Sequence, residues 1–187
     1  MSSIAVTASA TGTGTVSLVA PVTNTNQTLT LPDATATLLS NATQLVGNGT
    51  TTNNNAAAGV VGELISSNVV SPGVSLTTAT FANITTISLT AGDWDVSGVV
   101  GVTTGATTTI AYINYGVSTT SATDGALGQM GSLTTPATIA ATIDFVVSAP
   151  VTRLSLASTT TVYLVTRVSF AVSTANAYGV IRARRVR

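Results

Sequence analysis

The chain has 187 residues, 44% of them hydrophobic and 6% charged, and its six basic and six acidic side chains give a formal net charge of zero. It contains no His, Cys or Lys, which excludes an imidazole base, a thiolate nucleophile, a Cys/His zinc centre and a Schiff-base lysine. No broad electrostatic field is left to draw in nucleic acid or a membrane surface.

What remains is building material. Thr supplies about one residue in five, a side chain suited to a pleated, half-buried surface, and a net charge near zero favours self-association. The expected class is all-β, with no cofactor, no metal and no catalytic residue.

Residues 1–40 carry short apolar patches between turn residues: Ile4 and Val6, Val16 to Val19, Leu29 and Leu31, then Leu38 and Leu39. Such strands are too short and sparse to build a core alone. They require a partner surface, which predicts an extended arm or a short trimeric β shaft. The start lacks the basic and apolar regions of a secretion signal, and no stretch reaches the roughly 20 apolar residues of a membrane span. A cytosolic product is expected, so the N-x-S/T triplets at Asn26, Asn41, Asn48 and Asn83 are read as chance in a chain rich in Asn and Thr.

Residues 41–61 are polar, repetitive and rich in Gly and Asn, the composition of a linker. From residue 62 onward, apolar and polar residues alternate strongly. Ile87 and Leu89 share a face, Ala91-Gly92-Asp93 reads as a hairpin turn, and Trp94, Val96, Val100 and Val102 follow on one side. A second apolar face runs through Ile139, Ala141, Ile143, Phe145 and Val147, and a third through Val162, Leu164, Val168, Phe170 and Val172. About eight strands and no helical period predict a jelly-roll-like β-sandwich over 62–187, with an immunoglobulin-like sandwich as the alternative.

The segment GTGTVSLVAPVTNTNQTLTLPDATATLL (residues 12–39) resembles a stretch of bacteriophage fibre and head-decoration proteins, with Ala36 where that pattern often has Gly. SLTAGDWDVSGVVGV (88–102), STTTVYLVTRVSF (158–170) and the ending AYGVIRARRVR are similar to the terminal β-sandwich knobs of phage virion proteins. The resemblance implies a homotrimeric protein on the virion surface, made in the host cytoplasm, whose arm anchors it to the major capsid or another virion protein. A chain of this length makes only a stubby projection, which favours capsid decoration or a short head fibre over a long tail fibre.

Several residues compete for function. Asp93-Trp94-Asp95 has the spacing of a cation site or a glycosidase carboxylate pair, against a plain turn in which Trp94 opens the buried face. Glu63, Asp124 and Asp144 are isolated in sequence. Arg182, Arg184, Arg185 and Arg187 crowd the last six residues. Arg182 and Arg184 would share a strand face, either touching an anion or pairing with Asp93, Asp95 or a neighbouring chain's carboxylates at a subunit interface. Tyr112, Tyr115, Tyr163 and Tyr178 are candidates for stacking on sugars or for plain core-edge positions.

In the arm, Ile4, Val6, Val16 and Leu18 are the expected anchors for strand addition to a virion partner. The reading as a whole is a homotrimeric capsid decoration protein or head fibre. The rivals are a short tail spike that binds host glycan and a carboxylate glycan hydrolase.

Overall fold

The computed structural model describes residues 52–140 and 144–187, and for residues 135–140 their backbone. The arm anchors Ile4, Val6, Val16 and Leu18 lie outside the described residues, as do Ala141 and Ile143. The described chain is all-β, with nine strands: β1 Leu64–Ser75, β2 Phe81–Leu89, β3 Gly92–Thr104, β4 Thr109–Ser118, β5 Met130–Ala140, β6 Phe145–Ser148, β7 Thr152–Leu156, β8 Thr160–Ala171 and β9 Ala175–Arg185.

The strands form two antiparallel sheets. The first is ordered β1-β9-β3, with β6 and β7 dividing the far edge of β3 between them, and the second is ordered β2-β8-β4-β5. This order is that of one long hairpin folded up. Outgoing strands β1, β2, β3 and β4 pair with returning strands β9, β8, β6/β7 and β5. Rolling that ribbon adds the β9–β3 and β8–β4 ladders, and the product is the jelly roll. The sandwich therefore takes the first of the two architectures expected from sequence.

Alternation explains why these segments pack. Trp94, Val96, Val100 and Val102 of β3 are fully buried, as are Val162, Leu164 and Val168 of β8 and Ile181 and Ala183 of β9. Successive side chains of a strand point to opposite faces, so each apolar row meets its counterpart across the sheets in one core, joined by Ile84, Ile87, Ile110 and Ile113. Gly98 lies on the inner side, where a Cβ would stand 2.5 Å from Leu164 Cδ1. In β1 the register with β9 shifts between Val69 and Val74. Gly73 sits in that bulge at φ +78°, with Ala177 O 2.0 Å from where its Cβ would be, so no other residue fits.

Two expectations are corrected. Ala91-Gly92-Asp93 does not close a hairpin: β2 belongs to the second sheet and β3 to the first, so the chain crosses the sandwich there. Leu89 and Trp94 face the same core either way, which is why alternation could not separate the two cases. The run at 139–148 is not one strand but the end of β5 in one sheet and all of β6 in the other. Most of β5, MGSLTTPATIA, carries apolar residues too sparse to show a period in the sequence.

Candidate functional site

The outward side of the first sheet is where the chemistry-bearing residues gather. On β3 the outward positions alternate with the core row, so Asp95, Ser97, Val99 and Gly101 face away from the core. On β9, Arg184, Arg182, Val180 and Tyr178 lie opposite them in register.

One end of this face is apolar. Tyr178 lies over Gly101 so closely that a Cβ there would stand 2.2 Å from the ring's Cζ. Beside it a groove of about 300 Å³ runs across β1, β9, β3 and β6, walled by Val70, Val99, Val146, Val180 and Tyr178. Val70 and Val146 are exposed. A second groove shares Val99 and Val180 and continues past Val151 to Arg182.

The other end is charged. Asp95 lies between Arg184 of β9 and Arg153 of β7 in the ladder, and Arg182 is two residues along from Arg184. Arg182, Arg184 and Asp95 are all exposed. Among the described residues none of the three forms an ion pair, so the face carries uncommitted charges of both signs beside its apolar groove.

At the edge of the same sheet a buried ionic network holds the start of β1 to the end of β9. Arg185 points inward. Its Nε donates to Glu63 Oε2 at 2.8 Å, its Nη1 to Ala91 O at 2.9 Å and its Nη2 to Thr90 Oγ1 at 2.5 Å. The guanidinium lies 4.2 Å from the Trp94 ring centre, and Trp94 Nε1 donates to Thr90 O at 2.9 Å. Glu63 Oε2 also accepts from Gly59 N–H at 2.8 Å. Hydrogen bonds from Arg185 and then Gly59 lower the Glu63 pKa.

Asp93 anchors the neighbouring corner. Its Oδ2 accepts from Arg153 Nη2 at 2.8 Å and from Arg187 Nε. Hydrogen bonds, first from Arg153 and then from Ser155 and Arg187, hold its carboxyl down at about 2. A carboxylate so committed is a structural counter-ion. It is poorly placed to act as a general acid, which needs a raised pKa. Asp93 and Asp95 thus stand two residues apart in sequence but differ in role: one is buried and tied, the other is exposed and outside any ion pair.

The terminal arginines divide in the same way. Arg182 and Arg184 share the exposed strand face expected of them, whereas Asp93 is paired by Arg187 and Arg153 and Arg185 reaches Glu63. The isolated Glu63 finds its partner only through the β1–β9 ladder, and no sequence signal could have matched residues so far apart. Asp124 and Asp144 are exposed and stand apart from this cluster. Among the described residues, no three His, Cys, Asp or Glu side chains come together as a metal-binding group.

The Asn83 amide has structural work: it donates to Ser121 Oγ at 2.7 Å and accepts from Ala122 N–H at 2.7 Å, which holds the β4–β5 connection against β2.

No protein-family model matches the chain, and no curated protein sequence matches it significantly. Solved structures similar to it include one of the infectious bursal disease virus Gx strain, with TM-score 0.35 and 12% identity, and the VP2 subviral particle of infectious bursal disease virus, with TM-score 0.34 and 13% identity. Each match covers 66% of this chain and 30% of the other. The jelly-roll assignment itself rests on the strand order and register given above.

Proposed function

We propose that this chain is a structural virion protein, a homotrimeric capsid decoration protein or head fibre. It attaches through residues 1–40 and presents the jelly roll, and its role is adhesion rather than catalysis. The resemblance of residues 12–39 and of the sandwich segments to phage fibre and decoration proteins points the same way.

One observation carries the reading. The outer face of the first sheet combines an apolar groove with unpaired charges of both signs, Asp95 against Arg182 and Arg184. An exposed apolar patch rimmed by polar residues marks an association surface. In a closed threefold ring each copy sets its groove and Asp95 against valines and arginines of the next copy, a head-to-tail contact, so identical subunits satisfy this face without a foreign partner.

The test is mass in solution combined with particle binding. The full chain should sediment as a trimer, and Val99→Asp, which places an unpaired charge in the groove, should shift it toward monomer while the β spectrum is kept. A chain lacking residues 1–40 should stay folded but no longer join particles. Full particle occupancy by that truncated chain would overturn the attachment role of the arm, and an unchanged mass for Val99→Asp would overturn the interface.

A further inference from the structure

The outer face of the second sheet differs in kind from that of the first. In register across its strands lie Phe81 of β2, Arg167 of β8, Asn114 of β4 and Ser132 of β5, and the next row on the same side brings Tyr112 opposite Thr134. Directly opposed residues of an antiparallel ladder project to the same side. This face therefore offers one guanidinium, two aromatic rings, an amide and the hydroxyls of Ser132, Thr134 and Tyr112.

Arg167 is the anomaly. Its guanidinium carbon lies 4.8 Å from the Phe81 ring centre and 5.5 Å from that of Tyr112. Its Nε is buried with no hydrogen-bond partner, and no carboxylate among the described residues pairs with it. The other arginines are accounted for: Arg153, Arg185 and Arg187 pair with carboxylates, while Arg182 and Arg184 stand in solvent. Arg167 alone is half-buried, pressed against two rings and without an anion. A partly desolvated cation calls for a counter-charge, and a buried polar group left unsatisfied in a native fold calls for an explanation.

We propose that Arg167 is the anion-recognition centre of a binding site for carboxylate-bearing saccharides, built on Phe81, Tyr112 and Asn114. A single guanidinium matches a single negative charge, which suits a sugar carboxylate better than a phosphate dianion held by several cations. The rings on either side keep the guanidinium plane fixed and offer apolar surface to a pyranose. Asn114, Ser132 and Thr134 supply the donors and acceptors that sugar hydroxyls need. The site lies on the sheet opposite the proposed subunit interface and is independent of that reading.

The test is titration of the full chain with sialyllactose and with trigalacturonate, each beside a neutral twin, lactose and galactotriose, and with acetate as the free carboxylate. Heteronuclear NMR shifts would locate binding. Both acidic sugars should bind at the Arg167 face about tenfold or more tightly than their neutral twins, as expected for loss of a charge-assisted hydrogen-bonded pair, and more tightly than acetate. Arg167→Gln should abolish the preference, and Arg167→Lys, which keeps the charge but loses the planar fork, should retain only part of it. Asn114→Asp sets a competing carboxylate opposite Arg167 on the exposed face and should remove acidic-sugar binding in a chain that still folds. Equal binding of acidic and neutral sugars, binding of neither, acetate binding as tightly as the sugars, or full binding by Arg167→Gln would each overturn the proposal.

Discussion

Arg185 shows how a charge is carried into this sandwich. Three acceptors and the face of Trp94 surround it, so the desolvation of a buried guanidinium is offset bond by bond. Arg187, by contrast, is 74% exposed and reaches Asp93 from outside. Asp93 and Glu63 both have folded pKa values below their ordinary ones. The sign follows by linkage: the unfolded chain binds more protons than the folded one in the acid range, so these pairs stabilise the fold above the ordinary carboxylate pKa and lose that contribution as pH falls. The melting temperature should drop between about pH 5 and pH 2. Asp93→Asn should melt lower at neutral pH and show a shallower acid drop, as measured by thermal unfolding across that range. A wild-type melting temperature flat to pH 2 would contradict the pairing.

Among the elements, β9 and β3 matter most, because their inner residues build the core while their outer residues build the candidate interface. Gly101 belongs to the outer set. Its missing side chain lets Tyr178 lie flat on the sheet, and the contact to be displaced is a ring that can swing outward rather than backbone. Gly101→Val should therefore leave the jelly roll folded with a melting temperature within a few degrees of wild type, yet lift Tyr178, spoil the groove and weaken association. Calorimetry and analytical ultracentrifugation on the same sample check both halves. A destabilised monomer would mean that the ring is needed for folding instead.

For the whole molecule, the governing fact is that the first and last strands of the sandwich are neighbours. β9 pairs with both β1 and β3, so the centre of the first sheet is missing until the end of the chain is in place. A chain ending at residue 174 removes that strand and exposes Trp94, Val96 and Val100, which β9 residues otherwise flank. It should show no cooperative thermal transition and no dispersed amide spectrum. A chain lacking residues 1–40, in contrast, should keep its cooperative transition, because the described ladders are made by residues 64–185.

Much of this was legible in the chain itself. The Thr-rich composition and the two-residue alternation around Trp94 and Leu164 determined an all-β sandwich and two of its core rows, because side-chain direction along a strand is a local property with a fixed period. Tertiary structure alone decided which strand lies beside which. It turned an expected hairpin at Ala91-Gly92-Asp93 into a crossing between sheets, joined Glu63 to Arg185, and set Arg167 between Phe81 and Tyr112. Those are partnerships between residues distant in sequence, made by ladder register, and no local pattern encodes register across a hundred residues.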